Sequence, residues 1–204
     1  MMRRPIMAVG RERLAAIVSA RRGESALSIQ GDAAPFYQPG DCLFACAPDG
    51  GDMQHLGAAT ALNDTNVEFS AALSADLGGG TLWRAVNTFV VPTIPSAPVE
   101  RRYESGLAIE RSIGGIVYST RIAAPWRIDL LRFQQITRAA WQQWREWMRV
   151  YLANGARTFT WVDESGLVCR AQLNKPEITT HAASELSIDV ALEIAILAEG
   201  EYAQ

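Results

Sequence analysis

Two histidines, His55 and His181, and three cysteines, Cys42, Cys46 and Cys169, are the side chains of this 204-residue chain best suited to act as bases, nucleophiles or soft metal ligands. Catalysis needs such groups to converge with matched proton affinities, and neither histidine heads a recognised motif. Each reads as an ordinary surface or core histidine. Cys42 and Cys46 with His55 make an imaginable metal set, but their spacing within a strand is not the C-x-x-C knuckle that wraps zinc. The thiols therefore read as small buried hydrophobes, since a nucleophilic cysteine needs a partner base that the sequence does not indicate. Asp49 and Asp52, like Asp163 and Glu164, are paired acids at expected hairpin tips, where turn formation and solvation explain them. A calcium loop would want more oxygen ligands at regular spacing. Gly78-Gly79-Gly80 lacks the lysine and following hydroxyl of a phosphate loop and leads into a strand, not a helix. The expectation is a chain with no catalytic residue, no cofactor and no metal, and thus not an enzyme.

Composition points the same way. The chain is 49% hydrophobic and 20% charged with a formal charge of -3, close to folded soluble averages, which argues against disordered or collagenous classes. A mildly acidic balance gives no general attraction to nucleic acid or anionic lipid. Lys175 is the only lysine, so the positive charge is carried by planar, fork-shaped arginines suited to carboxylates across packed surfaces. The arginine pairs at 3 and 4, 21 and 22, and 101 and 102 are too dispersed for a nucleic-acid stripe and suit salt bridges between subunits equally well. No run approaches the ~20 apolar residues of a membrane span; Ile188 to Ala198 is interrupted by Asp189 and Glu193. The first 18 residues carry arginines at 3, 4, 11 and 13 and no apolar stretch of signal-peptide length, so free thiols in a reducing cytoplasm are expected, with an Arg-rich transit peptide as the alternative.

The elements that would position these residues are mostly strands. Leu14 to Val18 reads equally as a short helix or a strand. From Ser25 to Val91, turn signals at Gln30-Gly31-Asp32, Gln38-Pro39-Gly40-Asp41, Pro48 to Asp52, Asn63 to Asn66 and Leu77 to Gly80 separate strands at Ala26–Ile29, Cys42–Ala47, Met53–Leu62, Val67–Ser70 and Thr81–Val91. That spacing predicts a small β-barrel-like domain over 1–95. Three prolines within Pro92 to Pro98 remove ladder donors and mark the boundary. Beyond it, Tyr103–Arg111 and Val117–Ile122 predict a hairpin around Gly114-Gly115, and Trp126 to Leu131 a further strand with Trp126, Ile128 and Leu130 on one side.

The period then changes. Ala140, Trp141, Trp144, Met148, Tyr151 and Leu152 recur at three- and four-residue steps, predicting an amphipathic helix over about 138–153 with Thr137 as N-cap and Asn154-Gly155 at its end. The same spacing makes the tryptophans a core stripe, not a sugar-stacking platform, and one sheet face would cover them. Thr158–Val162 and Leu167–Leu173 predict a hairpin about the Asp163 to Gly166 turn. Ile178–His181 and Leu186–Leu197 are the last strands, the latter with Leu186, Ile188, Val190, Leu192, Ile194 and Ile196 on a buried face and its acids facing water or arginine.

From Trp126 onward, the order strand, Trp-rich helix, Gly, strand, Asp-x-x-Gly hairpin, strand and long alternating strand resembles the tail-tube-like module of long-tailed bacteriophage minor tail proteins. The likeness is to the distal tail protein family and its relatives in gene transfer agents. It covers about half of the chain and rests on Thr137, Trp144, Gly155, Phe159-Thr160-Trp161, Asp163, Gly166 and Leu192-Glu193. The region around Pro39-Gly40-Asp41 also looks like the small barrels of tail-tip proteins.

The resemblance implies a mainly β (α+β) fold: a tail-tube-like β-sandwich or barrel with one packed helix over 96–204, beside the smaller N-terminal domain. It implies a structural virion component, a hexameric ring that joins the tail tube protein to tip or hub proteins, located in the tail after assembly in the bacterial cytoplasm. The barrel-like region precedes the tube-like half, unlike the most familiar arrangement of the family, and the Gly114-Gly115 hairpin is short for a lumen-lining loop. Two other functions stay open: a host-surface binding module using the first domain for carbohydrate or protein, and a cell-wall hydrolase drawing on Asp49, His55, Asp163 and His181.

Overall fold

A computed structural model describes residues 3–30, 39–49, 53–63, 65–96, 99–104, 107–111, 117–121, 126–174 and 179–201. The fold is mainly β with one helix and a sandwich-like curled sheet. Its strands are β1 (Ile6–Ser19), β2 (Ala26–Gln30), β3 (Cys42–Cys46), β4 (Gln54–Leu62), β5 (Asn66–Phe69), β6 (Thr81–Val90), β7 (Glu100–Glu104), β8 (Leu107–Arg111), β9 (Val117–Arg121), β10 (Trp126–Thr137), β11 (Phe159–Val162), β12 (Val168–Leu173), β13 (Thr179–Ala182) and β14 (Ser187–Glu199). The helix, α1, is Arg138–Tyr151. The predicted turns at Gly31-Asp32, Gly50 to Asp52 and Gly114-Gly115 lie outside the described residues, as do Lys175 to Ile178.

Leu14 to Val18, ambiguous in sequence, belongs to β1, the strand that organises the molecule. Its C-terminal half pairs with β2 and β6, and the pairings β2–β5, β5–β4, β4–β3 and β3–β6 complete a circuit of six strands. All six contribute to one apolar cluster that includes Ile17, Ile29, Leu43, Leu56, Phe69 and Leu82. The N-terminal half of β1 leaves this circuit and pairs with β11 through Ile6 opposite Val162 and Ala8 opposite Thr160. The sheet continues through β12, β14 and β10 to β7, with β13 following β12 along the edge of β14 that faces away from β10.

The predicted strand Tyr103–Arg111 is divided. β7 joins β10, whereas among the described residues β8 pairs only with β9, in a separate two-stranded sheet. On β14 the expected alternation buries Ile188, Val190, Leu192, Ile194 and Ile196, but Leu186 precedes the strand and is 80% exposed. On β10 both sides of the alternation are covered around residues 127–131, with Ile128, Asp129 and Leu131 buried. Asp129 is buried, with Arg127 Nε 2.9 Å and Arg101 Nε 3.8 Å away, so a desolvated carboxylate is held by paired guanidinium charge. The Arg127–Asp129 contact is an ion pair without hydrogen-bond alignment, since neither atom has a hydrogen-bond partner.

β10 runs directly into α1 through a bulge between Phe133 and Ile136. Gln135 takes a left-handed φ of 56°, and its freed N–H donates to Asp189 Oδ1 at 2.9 Å. Thr137 then caps the helix, its Oγ1 accepting from Ala140 N at 3.2 Å. At the far end Ala153, Asn154 and Gly155 all have positive φ, and Leu152 O accepts from Gly155 N and Arg157 N. Between these stops, Trp141, Trp144, Trp147 and Met148 point into the sheet.

Trp144 is fully buried and lies edge-on to Phe133 and Trp141, at centroid distances of 5.0 and 5.7 Å, and parallel to Phe89 at 6.3 Å. Its Nε1–H donates to Met7 Sδ at 3.1 Å. Met7 is on β1, Phe89 on β6 and Phe133 on β10, so one indole joins strands distant in the chain. Truncation there removes transfer energy and leaves a cavity. Trp144→Ala is expected to lose about 3–5 kcal/mol of unfolding free energy in urea titration, whereas Val150→Ala, on the exposed face of α1, changes it by less than ~0.5 kcal/mol. Thr137→Ala should cost about 1 kcal/mol through the lost cap.

Candidate functional site

The two groups most capable of chemistry in the sequence do meet. β4 carries a bulge opposite β3, where Leu43 pairs with Gly57 and the next residue, Phe44, with His55. Gly57 has φ 82°, and a Cβ there would collide with Ser70 Oγ, which accepts from Ala58 N at 2.9 Å. The bulge sets His55 beside Phe44, with ring centroids 5.1 Å apart, and brings its Nε2 to 3.4 Å from Cys42 Sγ.

Their protonation states oppose reactivity. Burial and the neighbouring Asp41 push the Cys42 thiol up to about 12, so at neutral pH it is not a thiolate. Burial, with Arg3 nearby, lowers His55 to about 4, so the imidazole is neutral. The contact is therefore neutral thiol to neutral imidazole. Either group can donate in this contact, according to the imidazole tautomer, and Nδ1 has no hydrogen-bond partner. Cys46 Sγ instead accepts from Trp83 Nε1 at 3.4 Å. Among the described residues no three His, Cys, Asp or Glu side chains gather as a metal-ligand set.

Next to His55 on β4, Gln54 is 8% exposed. Its Oε1 accepts from Ser74 N at 2.9 Å, Ser74 Oγ at 2.8 Å and Ala75 N at 3.3 Å, while its Nε2 has no partner. Gln54, His55 and Ser74 line a cleft of about 660 Å³ together with Arg3, Glu164 and Ser165. The β11–β12 turn forms one wall because Asp163 Oδ1 accepts from Ser165 N, Ser165 Oγ and Leu167 N, at 2.8, 2.6 and 2.9 Å. Arg3 N donates to Glu164 O at 3.2 Å, fastening the N-terminal segment to that turn. A second cavity of about 270 Å³ shares Arg3 and His55 and is lined by Cys42, Gly57, Thr88 and Val90.

Of the four residues that a hydrolase would need, only His55 lines these cavities. Asp163 is committed to its turn, Asp49 is exposed beyond β3, and His181 is exposed on β13 opposite Asp189. Arg101 and Arg102 pair within the chain, Arg102 Nη2 donating to Glu193 Oε2 at 3.1 Å. Arg3, Gln54 and Glu164 carry no shared spacing in sequence, so the cleft could be found only from the fold. Among the described residues no helix is long and apolar enough to cross a membrane.

Half-buried, neutral His55 and Cys42 define the pH dependence. The unfolded chain takes up a proton on His55 below about 6.5, the folded chain only near 4, so stability falls as pH drops through that window. Cys42 and Cys169 are held protonated to about 12 against an ordinary 9, so stability also falls as pH rises above 9. Urea titrations should show a plateau between these limits, with the acid limb flattened in His55→Phe. Both thiols should resist iodoacetamide at pH 8 until denaturant is added.

No protein-family model matches the chain, and no curated protein or solved structure matches it.

Proposed function

We propose that the chain is a structural component of a long-tailed bacteriophage tail: a distal tail or tail-tip ring protein that joins the tail tube to the tip complex. In this reading the six-strand circuit is the small barrel-like domain, and the helix-backed sheet is the tail-tube-like half. Copies of the chain form a ring, a hexamer by the resemblance, with the tail tube protein on one side and tip or hub proteins on the other.

The observation that carries the proposal is an uncovered sheet edge. β3 pairs with β6 only from Thr81 to Arg84, and among the described residues no strand pairs with the outer edge of residues 85–90. Val86 and Val90 there are 56% and 53% exposed, and Val86-Asn87-Thr88-Phe89-Val90 contains no charge and no proline. Soluble proteins normally guard such an edge with charges, prolines or bulges. β7, the edge at the opposite end of the sheet, is guarded: all five residues from Glu100 to Glu104 are exposed and four are charged. Hairpin β8–β9, which pairs with no other strand among the described residues, is of a size that is marginal alone. A bare edge on one side of a subunit and an unattached hairpin elsewhere are the two halves of a heterologous contact, which closes into a ring when the rotation per subunit divides a full turn.

The edge can be tested without disturbing the fold. Val91 N donates to Pro5 O, so alternation along β6 directs Thr88 N–H outward, away from β1. Thr88→Pro removes that donor and leaves the β1 ladder in place. The expected result is rings of the natural chain in negative-stain micrographs with a mass several times that of one chain, and a monomer of unchanged unfolding midpoint for the variant. A natural chain that stays monomeric alone and with tail proteins, or a variant that assembles equally well, would overturn the proposal.

A further inference from the structure

β3 leaves β6 after Arg84, and the cavity of about 270 Å³ lies in the fork between them. Cys42 and Ala58 line it from the β3–β4 side, Thr88 and Val90 from β6, and Ile6 from β1. These lining residues can be reached from outside: Thr88 and Val90 are exposed, and Ile6, Cys42 and Ala58 are half-buried. Ile6 stands opposite Val90, so both put their side chains on the face of the sheet that carries the cavity. Arg3, the one charged residue along the lining among the described residues, is exposed and keeps its own water. His55 and Cys42 are neutral at pH 7, because burial lowers the imidazole to about 4 and raises the thiol to about 12. A charged group pushed into the fork would lose its hydration, whereas an aliphatic one would cover apolar surface.

We propose that this cavity is the lock of the subunit contact: it receives Leu107 and Ile109 of β8 from a second copy of the chain, laid as an added strand along residues 85–90 of β6. The inference rests on the assembly reading and adds to it which strand of the hairpin docks and by which face. Because Thr88 N–H points outward from β6, an incoming strand can bond there. Its residues opposite Thr88 and Val90 then project on the same face as those two, over the cavity. The docking strand therefore needs apolar residues two positions apart. Leu107 and Ile109 are such a pair in β8. The alternate residues of β9 are Val117, Ser119 and Arg121, or Tyr118 and Thr120, and either set brings hydroxyls or charge. β8 is five residues long, fits within the bare stretch of β6, and pairs only with β9 among the described residues. In such a contact the main-chain bonds supply affinity and the cavity selects the alternate side chains.

The test follows assembly of the full chain by mass photometry over a dilution series. Ile109→Asp is expected to raise the concentration at which rings dissociate by about a hundred-fold or more, and Ile109→Val by less than about ten-fold. β8 pairs with no strand of the main sheet among the described residues, so both variants should keep the unfolding midpoint of the natural chain. Val90→Asp, at an exposed position on the rim of the cavity, should weaken assembly as Ile109→Asp does. The contact itself is read by growing the protein with a diazirine analogue of leucine and irradiating the rings. A crosslink from position 107 to residues 40–42, 55–58 or 88–90 of a second chain is expected. Rings that persist undiminished in Ile109→Asp or Val90→Asp, or that form with position 107 attached elsewhere, contradict the docking and leave the assembly reading standing. A natural chain that stays monomeric, alone and with tail proteins, removes both.

Discussion

The packing of Trp144 against Met7, Phe89 and Phe133 is the constraint on which the rest of the structure depends. An indole is large enough to touch three strands at once, and burying it removes apolar area from water that no single strand could cover alone. The contact fixes the angle of α1 across the sheet and draws the start of β1 towards β10. Because β10 enters α1 without a loop, the bulge at Gln135 and the Thr137 cap must be in register for the indole to arrive. Asp189 serves that junction by accepting the N–H that the bulge frees.

β1 transmits the constraint to the other strands. It is 14 residues long, with one half beside β11 and the other beside β2, and β6 follows it along almost its whole length. A third apolar cluster, including Ala8, Phe44, Met53, Ala85, Val162 and Val168, lies between the two larger ones. The cleft beside Gln54 and His55 is a product of this joint: one wall comes from β4 and another from the β11–β12 turn, with the N-terminal segment fastened across them. The bare part of β6 arises nearby, where β3 diverges from it after Arg84.

What could be read from the sequence follows from how local the signal is. α1 was legible because Thr137, the tryptophan stripe and Asn154-Gly155 state its start, face and stop within 20 residues. β14 and the β11–β12 hairpin were legible because alternation and the Asp163 to Gly166 turn are equally local. β1 was ambiguous because Arg11, Glu12 and Arg13 interrupt its apolar pattern; there the side chains use Arg84 and Trp83 as partners, Glu12 in an ion pair with Arg84 and Arg11 over the Trp83 ring at 4.4 Å. The burial of Asp129 was hidden because its guanidinium partners come from both its own strand and β7. Leu186 reads as apolar and therefore inward, yet the chain is still turning from β13 towards β14 at that point. The cleft could not be read at all, since its polar groups are drawn from residues 3, 54, 55 and 164 and only the meeting of distant strands assembles them.

A helix clamped on a sheet, an uncharged stretch of strand edge on β6 and a polar cleft beside β4 meet along β1 among the described residues. His55 and Cys42, which meet beside that cleft, are held neutral chiefly by burial. The claim beneath this account is that α1 and the strands it crosses behave as one cooperative body, and native-state amide hydrogen exchange measures it most directly. The account predicts that amides of α1, the first half of β1, β10 and β14 exchange only through global unfolding, with one shared free energy. Exchange of α1 through a separate opening, well below that free energy and with the strands still protected, would contradict it.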